Sequence, residues 1–216
     1  MSKQEPRSHY FDPSPDTAHR KQNLCEEVAG QKFYFLTDSD TFSRQRLDFG
    51  SRLLLETALD QVDFAPKERV LDLGCGWGPV GIVLKAFHPE LRLCFSDVNE
   101  RALDLARENY KANIKQQQAE FVLSDGLDNW TGSFDKIFLN PPIRAGKQLV
   151  FRLFAEAFQA LNPAGELVIV IRKKQGADSA HKELERLFGP RQVEDIARKA
   201  GYRILRSRKV EEGSHA

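Results

Sequence analysis

The chain has 216 residues, 41% of them hydrophobic and 29% charged, an ordinary globular composition with enough apolar material for a sizeable core. Its formal net charge is only +1, so bulk charge selects neither nucleic acid nor membrane, and any such surface must come from local clustering. No apolar run approaches the ~18 residues of a membrane span, the N-terminal stretch lacks the apolar stretch of a secretory leader, and three sparsely placed cysteines (Cys25, Cys75, Cys94) argue against a disulfide framework or a zinc site and for a reducing, cytoplasmic setting.

Residues 1–22 are polar and Pro-containing and read as a mobile arm; residues 23–212 read as one domain, and 213–216 as a tail. "QKFYFLT" predicts a strand, "DSDTFS" a turn, and "RQRLDFGSRLLLETAL" a helix, from the apolar spacing of Leu53, Leu54 and Ala58. From Arg69 a rhythm sets in. "RVLDL" is a buried strand and "GPVGIVLKAF" opens a helix. "LRLCFSD" is a strand, followed by the helix "NERALDLARENYKAN" with Asn99 as its N-cap. "AEFVLSD" and "FDKIFLN" are strands, "QLVFRLFAEAFQAL" a helix, "GELVIVIRKK" a long strand and "SAHKELERLF" a helix. "RQVEDIAR" and "YRILRSRKV" close the chain as two strands joined by the hairpin signal "KAG". Strands alternating with helices predict a three-layer α/β domain, its sheet mostly parallel and antiparallel only at the final hairpin.

The strand "RVLDL" runs into "GCGWGPVG", where Gly74, Gly76 and Gly78 occupy a strand-to-helix turn that permits close approach of a ligand. Two registers fit. From Gly76 to Gly81 the stretch satisfies the dinucleotide pattern G-x-G-x-x-G. Read from Asp72 it is D-x-G-x-G-x-G. The acids at successive strand ends favour the second. Asp72 suits a positively charged ligand group and would repel a pyrophosphate. Asp97 can accept from ribose hydroxyls, which NAD and other nucleosides share. Asp125 ends the third strand. Each acid alone is equally well a loop residue or a helix cap.

After the fourth strand comes "NPPIRAGK". Proline has no N–H and moves its predecessor away from helix, so Asn140, Pro141 and Pro142 are expected to leave rigid carbonyl acceptors without neighbouring amide donors. Two basic clusters, Arg144 with Lys147 and Arg172 with Lys173 and Lys174, follow separate strands that should end at one edge of the sheet. They are expected to contact phosphate, although charge runs are usually just solvated faces.

This set resembles the class I S-adenosylmethionine (SAM) dependent amino-methyltransferases, a Rossmann-like fold. Within it the likeness is to the small-domain RNA methyltransferases, among them the 16S ribosomal RNA guanine-N2 enzymes of the RsmC type. It covers roughly residues 31–209, including "TDSDTFSRQRLDFGSRLLLE", "NPPIRAGK" and "IRKKQGA". The resemblance implies SAM as cofactor, held by Asp48, Phe49, Gly50, Asp72, Gly74, Gly76, Gly78, Asp97, Val98, Asp125 and Asn140. Asp125 would meet the adenine amino group. Asp48, Phe49 and Gly50 would form a lid over the cofactor, against the plainer reading of a helix cap by Asp48 and Ser51. It implies a target amine held by Asn140, Pro141, Pro142 and Ile143, and a partner in ribosomal RNA or the small ribosomal subunit, with no metal and no membrane. Two departures stand out: the 216 residues are too few for the second, degenerate copy of the domain that RsmC-type enzymes carry, so the chain resembles a stand-alone version, and Ile143 stands where the family often has an aromatic. The alternatives are methylation of a protein glutamine amide or of adenine N6, an NAD-dependent oxidoreductase, and a non-enzymatic domain binding RNA or protein.

Overall fold

A computed structural model describes residues 21–38, 46–115 and 118–210. Most of the expected N-terminal arm and of the "DSDTFS" turn therefore lies outside the described residues. Two antiparallel strands, β1 (Gln22–Val28) and β2 (Gln31–Thr37), form a separate small sheet. The seven strands of the main sheet are β3 (Arg69–Leu73), β4 (Arg92–Asp97), β5 (Glu120–Leu123), β6 (Phe134–Leu139), β7 (Leu161–Arg172), β8 (Val193–Lys199) and β9 (Tyr202–Arg208). Their order is β5-β4-β3-β6-β7-β9-β8, parallel from β5 to β7, with β9 antiparallel to both its neighbours. The expected class is observed, a mostly parallel seven-stranded sheet ending in an antiparallel hairpin.

The helices are α1 (Phe49–Gln61), α2 (Pro79–Phe87), α3 (Glu100–Asn113), α4 (Lys147–Ala160) and α5 (Ala177–Phe188). They divide between the faces. One apolar cluster joins Leu54, Ile82 and Leu103 of α1, α2 and α3 to Val70, Phe95, Phe138 and Val170. The other joins Phe154 and Leu184 of α4 and α5 to Leu71, Ile137, Ile169 and Ile171. Val168 and Val170 thus serve one face and Leu167, Ile169 and Ile171 the other. That is why β7 reads as an unbroken apolar run rather than an alternation.

Both hairpins close on the dipeptide Ala-Gly. Ala29 and Gly30 have φ of 48° and 79°, and Ala200 and Gly201 have 50° and 79°, the two positive values that a tight hairpin turn matching strand twist requires. The outer edge of β2 is satisfied by a helix. Asn109 of α3 accepts from Leu36 N–H at 2.6 Å and donates to its carbonyl at 2.9 Å, and Asn113, one turn on, does the same for Tyr34 at 2.9 and 2.7 Å. Two amides four residues apart on α3 thereby take the place of a third strand. Asn109 also donates to the Trp77 carbonyl at 2.9 Å, tying the hairpin to the glycine turn.

Close packing of α2 depends on Gly81. A Cβ there would stand 2.3 Å from Phe95 Cε1, and the Phe95 ring is boxed in against Phe121 at 4.7 Å. Ala is the better helix former by ~1 kcal/mol, but overpacking a rigid core costs roughly 1–3 kcal/mol. Gly81→Ala is therefore expected to lose up to about 2 kcal/mol net in chemical denaturation. A stabilised variant would show that the Phe95 ring yields freely.

Candidate cofactor and substrate site

The parallel strands all point one way, so the segments following β3, β4, β5, β6 and β7 share the carboxyl edge of the sheet. Chain order reverses between β3 and β6, the switch point outside which open α/β sheets bind ligands. The glycine turn leaves β3 there, and Asn140 leaves β6 beside it.

Gly74 and Gly76 have φ of 66° and 56°, and a Cβ at either would meet nothing within 4 Å. The backbone is left-handed, and open space lies beside it, so the turn forms a cradle that a ligand can approach closely. Cys75 N–H donates to the Ser96 carbonyl at 2.9 Å and Gly76 N–H to Asp97 Oδ2 at 2.8 Å, which pins the turn to β4. Asp97 Oδ1 accepts from Asn99 N–H at 2.9 Å. Burial raises the Asp97 pKa, and the N–H groups of Asn99, Gly76 and Val98 pull it back. Each of its oxygens keeps acceptor capacity for a further donor. Asp72 lies buried beneath the turn, and its Oδ2 accepts from Gly81 N–H at 2.9 Å. Burial pushes its carboxyl up to about 7; the Gly81 N–H opposes the rise, and the Asp97 charge adds to it. Asp125 is exposed and bonds Arg152 Nη2 at 2.5 Å, while Arg152 also faces Glu156 at 3.4 Å. Val98 is exposed next to Asp97.

The Asn140 amide is anchored at its nitrogen end. Nδ2 donates to Ser51 Oγ at 3.0 Å and reaches Asp48 Oδ1 at 3.5 Å. A carboxylate only accepts, so the nitrogen must be the end that faces Asp48, and the amide oxygen is left as the acceptor. Asp48 is also the N-cap of α1, accepting from Gly50 N–H at 2.9 Å and Ser51 N–H at 3.1 Å. The capping reading of this segment is thus observed, and the cap itself adjoins Asn140. Gly50 packs so closely that a Cβ would meet Tyr202 Cε1 at 3.4 Å.

One expectation is corrected. The Pro141 carbonyl does have an amide donor nearby: Ile143 N–H reaches it at 2.8 Å, because Pro142 at φ −75°, ψ 75° closes an inverse γ-turn. Ala145 N–H likewise reaches the Pro142 carbonyl at 2.9 Å. The missing proline N–H groups are replaced by donors further along the chain, and one lone pair of the Pro141 carbonyl stays open. Ile143 is half-buried against the second core cluster.

Arg144 lies in a short 3-10 turn (Ile143–Ala145), and Lys147 opens α4. Lys173 and Lys174, read as the end of a strand, instead form a second such turn (Lys173–Gln175) beyond Arg172. Strands β6 and β7 are parallel neighbours, so both clusters do share one edge. All five cations are exposed, and no described residue pairs any of them with a carboxylate. Elsewhere arginines are engaged, as in Arg52 with Glu26, Arg203 with Asp195 and Arg208 with Glu166. Ser51, Arg152 and Tyr202 are the residues at this edge that the sequence reading missed. Only Ser51 carried a signal, as a capping-type residue three positions after Asp48.

A switch-point glycine cradle, acids at three successive strand ends and an anchored Asn-Pro-Pro share one edge of a sheet with the class I methyltransferase fold. The model of the methyltransferase small-domain family matches residues 32–206, and the chain belongs to that family, enzymes whose methyl donor is SAM. It is 38% identical over 206 residues to the uncharacterized protein YbxB of Bacillus subtilis, covering 94% of this chain and 98% of that one. It is 35% identical over 206 residues to ribosomal RNA large subunit methyltransferase G of Stutzerimonas stutzeri, covering 92% of this chain but only 51% of the relative. The chain spans about half the length of the large-subunit methyltransferases it matches. In fold it is similar to the Thermus thermophilus 16S rRNA N2 G1207 methyltransferase RsmC, solved with AdoMet and guanosine. The TM-score is 0.78 at 22% identity, over 91% of this chain and 52% of that one.

Proposed function

We propose that the chain methylates an exocyclic amine of ribosomal RNA, with guanine N2 of 16S rRNA as the specific target. The observation that carries this reading is the anchored Asn140 amide, its oxygen left as an acceptor beside a rim of cations that no carboxylate among the described residues pairs. Relatives named as ribosomal RNA methyltransferases support it.

The open backbone at Gly74 and Gly76 fits a bound nucleoside, with Asp97 for its ribose hydroxyls, Asp125 for its adenine amine and Asp72 for its positive end. When bound, SAM supplies a sulfonium-activated methyl group. The chain's own residues do the rest. Asn140 Oδ1 and the Pro141 carbonyl accept the two N–H bonds of the target amine and fix the direction of its lone pair. Both oxygens also stabilise the positive charge that grows on that nitrogen. They are held before reaction by Ser51, Asp48 and the γ-turn, so little reorganisation is needed. Ile143 covers one face of the acceptor by apolar contact. No covalent enzyme intermediate is required.

Labelled SAM incubated with stripped ribosomal RNA, followed by nucleoside analysis, should yield labelled N2-methylguanosine. Label in N6-methyladenosine, or in a protein glutamine and not in RNA, would displace the assignment. RNA affinity should fall steeply with salt, and neutralising Lys173 and Lys174 together should flatten the salt slope by about one unit per lost phosphate contact while leaving SAM affinity unchanged. A salt-insensitive acceptor affinity would point to an uncharged substrate.

A further inference from the structure

Three residues far apart in sequence meet at the rim of the carboxyl edge. The Phe49 and Tyr202 rings lie 5.2 Å apart at an interplanar angle of 41°, and the Arg172 guanidinium carbon stands 5.6 Å from the Tyr202 ring centre. Phe49 is 41% exposed, an unusual state for a large apolar ring at the first turn of a helix. Backbone pairing fixes this cluster: Arg172 is opposite Tyr202 in the β7–β9 ladder, and Lys173 N–H donates to the Gly201 carbonyl at 2.7 Å. The hairpin turn thereby sits beside Lys173 and Lys174, and exposed Lys199 flanks it. The cluster is also joined to the amine-holding residue, since Phe49 directly follows Asp48, whose carboxylate reaches the Asn140 amide.

We propose that Phe49, Tyr202 and Arg172 form a stacking ledge for an unpaired nucleobase flanking the target nucleotide, so that the substrate is a single-stranded RNA segment rather than a duplex. The inference rests on the RNA reading above and narrows it. An aromatic face lined by cations is the chemistry that recognises unstacked bases: the ring takes the base and the cations take its phosphates. A duplex buries its base faces and offers the ledge nothing. The stacking that an aromatic at position 143 would give is supplied instead from α1 and β9, beside the target rather than on it. Lysines and arginines alone would bind any polyanion; the ring pair among them, Phe49 exposed and Tyr202 half-buried, is what selects single strands.

The test uses the full chain and a mixed-sequence RNA of 12 nucleotides, single-stranded or annealed to its complement. The wild-type chain should prefer the single strand. Tyr202→Leu should weaken single-strand binding by about 5- to 150-fold, the range for losing one base–aromatic stack. Duplex binding and the salt slope should stay as in wild type, because no phosphate contact is removed. Tyr202→Trp should retain affinity, and its added indole fluorescence should be quenched by the single strand. That variant keeps the test valid even if Tyr202→Leu proves unstable. Single-strand affinity unchanged in Tyr202→Leu, or an unquenched indole in Tyr202→Trp while RNA is bound, overturns the ledge and leaves the RNA reading standing. A wild-type chain that binds neither RNA overturns both.

Discussion

Asn140→Ala is expected to lose about 100- to 1000-fold in kcat, with SAM affinity near wild type. The substitution removes an acceptor whose interaction strengthens as charge grows on the attacking nitrogen. By analogy with deleting one oxyanion-hole donor, the loss is roughly 2.7–4 kcal/mol of transition-state stabilisation. Asn140 is tied to Ser51 and Asp48 through its nitrogen, so its oxygen is already oriented in the free enzyme. Asn140→Asp is an informative companion. It keeps an acceptor but replaces the donating amide with a carboxylate facing Asp48, so the anchor becomes a repulsion. Single-turnover methyl transfer beside SAM titration separates the two effects. Near-normal turnover in Asn140→Ala would reduce Asn-Pro-Pro to a strand stop.

Asp97→Ala should weaken SAM binding by roughly 1.5–3 kcal/mol, about 10- to 150-fold, through loss of charge-assisted hydrogen bonds to ribose. The same carboxylate holds Gly76 N–H and Asn99 N–H, so the variant also removes one of the two hydrogen bonds that pin the glycine turn to β4, leaving that of Cys75 N–H to the Ser96 carbonyl. Calorimetry with SAM and with S-adenosylhomocysteine should show equal losses, because the two share the ribose and differ only at sulfur. A loss for SAM alone would place Asp97 near the sulfonium instead.

The sheet was legible because its central strands are buried on both faces and their helices are amphipathic, and either signal survives without any tertiary knowledge. The hairpin of β1 and β2 shows where that ends. The second hairpin carries its signal in "KAG", a glycine between two expected strands. Ala29-Gly30 closes its hairpin by the same conformation, but no strand is expected over "QNLCEEV" ahead of it. Glu26 is in fact buried, accepting from Leu47 N–H at 2.6 Å and pairing with Arg52, partners that sequence spacing does not reveal. The site divides the same way. Its glycines, acids and Asn-Pro-Pro are local motifs at strand ends. Ser51 and Tyr202 reach it only by folding, across 89 residues in the bond from Asn140 to Ser51; the capping character of Ser51 is local, but nothing local points it at Asn140 or distinguishes Tyr202 from any strand residue. The Pro141 carbonyl was misjudged for a related reason: proline's missing N–H is visible in the sequence, whereas the γ-turn that supplies another donor is not.

The shared anchor of Asp48, Ser51 and Asn140 makes the start of α1 and the end of β6 one unit. Asp48 Oδ1 serves two helix N–H groups and the Asn140 amide at once. Fraying of the first helical turn therefore frees the Asn140 amide, and any ligand that steadies that turn stiffens the amide as well. Such a link is reciprocal: an occupant that favours the ordered anchor from the cofactor side raises affinity on the acceptor side by the same factor. The enzyme's two substrates would then communicate through three side chains, with no domain movement between them.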